Sequence, residues 1–319
     1  MTTGFRRYLL RRFGFAVLLV FVVSSASLLL ARLAPSDDAF AADRAVIAAE
    51  RHRLGFDKPL AAQYAEWLTR SVRFDFGESL RFRRPVAALI RERAGRTALL
   101  GVTALMLATI VGIPLGVFTG SRCSGPLTSI VHSGSVVVLS IPSLVMSLGL
   151  LLFAARTGWF PAGGLPSIPA DAGVVDSIGA IARYLFLPAV ALALPMAAAL
   201  ERLQSRAIEE ALADPCILAA LARGVPRQRI IWRHAFRLAL TTVLAIYGIM
   251  IGTALSGSFV VEIVMSWHGL GDLMYQALQA RDLYLVAGCA AAGSCGLALG
   301  ILTSDLALAA ADPRVEELG

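Results

Sequence analysis

Six uncharged, apolar stretches punctuate the chain, over residues 13–31, 97–121, 127–155, 184–200, 238–261 and 283–304. A helix rises 1.5 Å per residue, so ~20 residues cross a hydrocarbon core of ~30 Å, and each stretch predicts a transmembrane helix. The third is long enough to tilt or to begin outside the bilayer. The fourth carries Pro188 and Pro195, which predict a kink. Pro114 in GIPLG and Pro142 in SIPSL fall inside the second and third stretches. Each frees a backbone carbonyl that a neighbouring helix or cavity water must satisfy. Gly252, Gly257, Gly293 and Gly296 predict close helix approach.

Two polar regions between these stretches carry patterns of their own. Residues 34–96 hold DRAVIAAERHRLG, an amphipathic helix ended by Gly55, then PLAAQYAEWLTRSVR opening at Pro59, then RPVAALIRERAG from Pro85 to Gly95. Trp67, Phe74, Phe76 and Phe82 suit packing on the span ends or on the membrane surface. The lobe is either a packed cap or a surface for a soluble partner. The second region is DPCILAALARGVPRQRIIWRHA, residues 214–235. Asp214 suits an N-cap, Pro215 the first helical position, Arg223 the last turn, and Gly224 a left-handed end residue. Its helix rises only ~13 Å and cannot span. A further helix restarts at Pro226, with Arg229, Arg233 and Arg237 at i,i+4 spacing on one face. Two readings stand here: an interfacial helix whose arginines meet anionic headgroups, or a helix that docks into a groove on a cytosolic partner.

Composition agrees with a membrane protein. Hydrophobic residues make up 57% of the 319 and charged residues 16%, against about a quarter in soluble domains. Arg6, Arg7, Arg11 and Arg12 before the first stretch place the N-terminus in the cytoplasm, and six spans put the arginines of 202–237 on the same side. Residues 35–96 then lie outside despite twelve Lys or Arg, at the length where charge stops governing translocation. The basic N-terminus is not read as a cleaved signal, because the first stretch is long and no small-residue cleavage site follows it.

Catalytic material is scarce. Lys58 is the sole lysine and sits in GFDKPL, so the sequence shows no phosphate-binding P-loop, and any ATP chemistry must come from another polypeptide. The four cysteines form no CxxC pair, and the four histidines are too scattered for a metal site. Glu262 and Asp305 stand at span ends, where a solvated or capping role is expected ahead of proton relay.

From LARGVPRQRIIWRHAFRLAL to ADPRV near the C-terminus, the sequence resembles the inner-membrane permeases of ABC importers, more narrowly the dipeptide, oligopeptide and nickel type. Ala219 and Ala220 fall at the two alanines of that family's coupling loop and Gly224 at its glycine, with Asp214 opening it and Arg223 before the glycine. Leu218 and Leu221 depart from the family's polar pattern, so packing rather than charge is expected to hold the contact. SGSFVVEIVMSWHGLGDLMYQALQARD resembles the segment after the family's fifth span. Glu262, Gly269 and Gly271 match it, and His268 replaces the usual proline. RLGFDKPLAAQYAEWL, FDFGESL and RPVAALI resemble the family's external insert, and RRYLLRRF its N-terminus.

The resemblance implies an all-α integral membrane protein with six transmembrane helices and the type I permease fold. Residues 1–33 form the N-terminal flank and first span, 34–96 the external helical insert, 97–310 the permease core with a cytoplasmic coupling helix at 214–224, and 311–319 a cytoplasmic tail. It implies a bacterial inner-membrane transport subunit for peptides or a related solute, not an enzyme, with both termini inside. The implied partners are a second homologous permease, two ATP-binding subunits that hold ATP and Mg, an extracytoplasmic substrate-binding protein and the lipid membrane. No cofactor in this chain, no metal and no nucleic acid are expected. Asp214, Ala219, Ala220, Arg223 and Gly224 would couple to the ATPase, and Glu262, Gly269 and Gly271 would form an external gate or loop. The alternative, a stand-alone secondary transporter or channel, would require ionisable residues in mid-span, which this pattern nearly lacks.

Overall fold

The computed structural model describes residues 3–33, 69–70, 75–122, 125–166 and 173–311. The sequence-predicted insert helices at 43–55 and 59–73, with Trp67, Phe74 and the ADPRV tail, lie essentially outside them. The described residues are helical throughout, apart from turns and one isolated bridge between Glu78 and Pro85. The helices are α1 (Thr3–Leu33), α2 (Val86–Gly120), α3 (Pro126–Ser140), α4 (Ser143–Thr157), α5 (Val174–Leu212), α6 (Pro215–Ala222), α7 (Phe236–Leu244), α8 (Tyr247–Val264), α9 (Leu270–Gln279) and α10 (Leu283–Ala311). Among the described residues, α2, α5, α8 and α10 are long and apolar enough to cross a membrane, and α3 with α4 make a fifth if that bent pair is one span. The first apolar stretch lies in α1, which packs along α10 and brings Arg12 Nε within 3.2 Å of Asp305 Oδ2.

Four elements differ from the hydropathy reading, the first being the fifth stretch, which is divided by a turn at Ala245–Ile246 between α7 and α8. The third stretch is broken rather than tilted: α3 and α4 meet at 103° around Ile141–Pro142, so Pro142 precedes a helix instead of sitting inside one. Hydropathy counts apolar residues and is blind to a bend that keeps them apolar. The fourth stretch is the middle of α5, which runs 39 residues through both prolines. Gly95 does not end the helix begun at Val86. Nothing lies within 4 Å of where its Cβ would be, and α2 continues through it into the second stretch.

The tightest packing is between α2 and α5, set by Gly112, Gly116 and Gly120 at four-residue spacing. A Cβ on Gly112 would lie 2.6 Å from Ala197 O, and one on Gly116 2.6 Å from Glu201 O. Such spacing lets two backbones meet. Gly257, against Leu192, has a similar role, whereas Gly293 and Gly296 have nothing within 4 Å.

Between Pro226 and α7 the chain makes one helical turn, Arg227–Arg229, and then a π segment, Ile230–Ala235. Ile230, Ala235, Ala239 and Val243 are buried, a spacing of five, four and four. An α-helix would turn Ala235 away from the core. The wider turn, with Phe236 N–H bonded to Ile231 O, keeps both residues inward while Arg233 and His234 stay exposed. The arginines at 229, 233 and 237 therefore share an exposed side without lying on one regular helix.

Candidate functional site

The residues singled out by sequence form two groups. In the first, α6 is closed at both ends by its own chain. Asp214 Oδ1 accepts the Cys216 amide at 2.8 Å, and Pro215 needs no partner at the first helical position. Gly224 has φ +81°. Its amide donates to Leu221 O at 2.9 Å, and the Val225 amide donates to Ala220 O at 3.2 Å. These are the two bonds of a left-handed helix ending, and a residue with Cβ would be strained there. Arg223 Nε donates to Ala219 O at 3.2 Å.

A helix of eight residues is not stable alone in water. Ile217, 3% exposed, fastens α6 among Val117, Ile208 and Ile230. Half-buried Ala220 packs on the same cluster, so the two alanines divide: Ala220 faces the chain's own core and Ala219 is exposed. The outer face is apolar, with Leu218 51% and Leu221 41% exposed.

The second group centres on Glu262, near the end of α8. It is fully buried, which corrects the expectation of a wet span end. Thr97 Oγ1 donates to Oε1 at 2.6 Å, while Oε2 accepts the amides of Gly271 at 2.7 Å and Asp272 at 3.2 Å. Thr97 Oγ1 also accepts the Leu270 amide at 2.7 Å. Glu262 and Thr97 thus bind the unpaired amides at the start of α9. Both glycines are required by space: a Cβ on Gly269 would lie 2.6 Å from Glu262 Cδ, and one on Gly271 2.7 Å from Phe259 Cα. Trp267, 1% exposed, wedges beside them and donates from Nε1 to Arg96 O at 3.1 Å. Arg93 lies 3.6 Å from Asp272, tying α2 to α9 again. His268, at the family's proline position, places Nδ1 2.7 Å from Ser266 O.

The next turn is locked in a related way. Buried Asp282 receives Ser79 Oγ at 2.6 Å, the Arg81 amide at 3.2 Å and, on its other oxygen, the Leu285 amide at 3.2 Å. The FDFGESL segment is thereby fixed to the start of α10, with Phe76 and Phe82 packed on Val86, Leu273 and Leu285.

The two groups do not meet. Thr97 and Val117 lie twenty residues apart on one helix, which separates them by ~30 Å, about the hydrocarbon thickness.

Sequence reasoning missed Thr97, whose partner is 165 residues distant, and a buried acid within α5. Glu201 is 1% exposed, accepts Thr119 Oγ1 at 2.7 Å and lies 3.3 Å from His132 Nδ1. The apolar window stopped at that charge and so placed it outside the span. Sequence reasoning missed as well the Gly112, Gly116 and Gly120 repeat, whose four-residue spacing was the available signal. Among the described residues no group of three His, Cys, Asp or Glu side chains could hold a metal ion.

Residues 112–317 match the family model described as the inner membrane component of binding-protein-dependent transport systems, and residues 5–98 match the N-terminal domain of such components. The oligopeptide transport system permease protein OppB of Mycobacterium tuberculosis is 32% identical over 278 residues, covering 85% of each chain. AppB, an oligopeptide transport system permease protein of Bacillus subtilis, is 30% identical over 316 residues, covering 97% of this chain and 99% of its own.

Proposed function

This chain belongs to the inner-membrane components of binding-protein-dependent transport systems, and we propose that it is the permease subunit of an ABC importer for peptides or a related small solute. It is a membrane permease subunit and not an enzyme. In this reading it pairs with a second permease to enclose the pathway. Two ATP-binding subunits below hold ATP and Mg, and an extracytoplasmic protein delivers the solute. The chain crosses the inner membrane six times, with α1 and the bent α3–α4 pair completing the count and both termini in the cytoplasm.

The observation that carries the reading is α6. It is short, capped at both ends and fastened by one buried residue, and it presents Leu218 and Leu221 outward. In the proposed mechanism those leucines seat in an apolar groove on an ATP-binding subunit. Closure of the ATPase pair displaces α6, and the π segment and α7 pass the displacement on to α8. Such coupling needs a stiff element with different contacts in two states, and the caps supply the stiffness. At the other end of α2, the Glu262 clamp holds the loop that would face the delivery protein.

Co-purification and reconstituted uptake test this. The chain is expected to elute with two ATP-binding subunits, and uptake into vesicles is expected to require ATP. Leu218→Asp with Leu221→Asp should leave insertion intact while abolishing uptake. ATP-independent uptake would overturn the reading in favour of a stand-alone transporter, and unchanged uptake in the double variant would remove α6 from the mechanism.

A further inference from the structure

Beside the inner end of α2 the surface folds into a cleft of about 390 Å³. Its floor is apolar, made by Pro114, Val117 and Phe118. Its rim is cationic, with Arg122 from the end of α2 and Arg227 from the turn after α6. Pro114, Phe118 and Arg122 follow one another at four-residue intervals and continue a row that begins at Ile110, 64% exposed. From this face of α2 to Arg122, two residues past its end, the surface therefore passes from apolar to charged over ~18 Å.

The rim is organised. The Arg122 guanidinium lies over the Phe118 ring at 4.3 Å, and Arg227 Nη2 donates to Ser121 O at 2.9 Å. Both cations are held at the mouth, and among the described residues neither is paired with a carboxylate. Trp232, 53% exposed, walls the cleft beside them. A Trp ring with an apolar body and a polar N–H suits the headgroup level of a bilayer. A small anion would use the rim alone. An amphiphile with one negative headgroup would use the rim and the floor together.

We propose that this cleft binds an anionic phospholipid, its phosphate between Arg122 and Arg227 and its upper acyl chain along Phe118, Pro114 and Ile110. The inference rests on the chain being a membrane protein and not on the docking of α6. A bound lipid here would brace the end of α2 against the turn that follows α6.

The test is lipid retention by the purified importer complex, counted by native mass spectrometry after exchange into nanodiscs of phosphatidylglycerol or of phosphatidylcholine with the same acyl chains. The native complex should retain phosphatidylglycerol and not phosphatidylcholine. Arg122→Gln with Arg227→Gln should weaken retention about thirtyfold, as expected for two basic contacts near a membrane surface. Arg122→Lys with Arg227→Lys should stay within a few-fold of native, which guards against misfolding as the cause. Arg229→Gln with Arg233→Gln, outside the cleft on the same exposed side, should change little. Equal retention of the two lipids, equal loss in the 229/233 variant, or displacement by inorganic phosphate at tens of millimolar would each overturn the proposal, the last in favour of a free anion. Subunit co-elution is read in the same spectra, so failure of the importer reading is seen separately from failure of the lipid site.

Discussion

Thr97 and Glu262 meet across 165 residues of sequence, and their coupling is measurable. Thr97→Val removes one hydroxyl that both donates to Glu262 and accepts the Leu270 amide. Losing a buried bond costs about 1 kcal/mol and stranding a buried amide about 1–3, so the variant should lose about 3 kcal/mol. Glu262→Gln keeps the shape. Its oxygen can still accept the Gly271 and Asp272 amides while its NH₂ group turns to Thr97, so about 1–2 kcal/mol is expected. In the Thr97→Val background that NH₂ group has no partner to lose, and the double variant should cost less than the sum by about 1–2 kcal/mol. Unfolding titrated with SDS in mixed micelles gives the four stabilities of the cycle, and amide hydrogen exchange at Gly271 and Asp272 reports the clamp directly. Additivity within about 0.5 kcal/mol, with unchanged exchange at those amides, would refute the argument that the two side chains hold α9 as a unit.

Other variants probe the remaining features. Gly224→Val forces a Cβ into φ +81° and should fray α6 at a cost of about 1–2 kcal/mol, lowering uptake per ATP hydrolysed in vesicles while insertion is unchanged; Gly224→Asn should be milder. Gly116→Val should drive α2 from α5 and shorten the thermal lifetime of the purified complex, whereas Gly101→Ala, with nothing within 4 Å, should be neutral or slightly stabilising. Charge reversal at exposed Arg281, or within residues 35–96, should weaken stimulation by the binding protein without lowering basal ATPase activity; an unchanged response would leave those segments as packing only.

What the chain discloses before folding depends on how far apart the cooperating residues lie. The ends of α6 were legible because Asp214, Pro215 and Gly224 act on backbone groups within five residues. The apolar stretches likewise located α2, α5, α8 and α10, since burial in lipid is a property of each segment. The break at Pro142 was not legible, because a bend leaves composition untouched. Glu262 was readable as a capping residue, but its burial depends on Thr97 and Trp267 arriving from distant segments. Glu201 was obscured by its own charge, which ended the apolar window just where α5 continues. The five-residue step from Ile230 to Ala235 signals a wider turn only once the inward side of the helix is known.

The continuity of α2 also has a mechanical meaning. One rod, unbroken from Val86 to Gly120, carries Thr97 in the Glu262 clamp and Val117 in the cradle of Ile217. If it tilts by ~5° about the point midway between Thr97 and Val117, each of those residues sweeps ~1.3 Å, and in opposite directions. Events on the two faces of the membrane then need no relay of side chains to be felt at each other. They are the two arms of a lever, and α5, locked along it by three glycines, must swing with it.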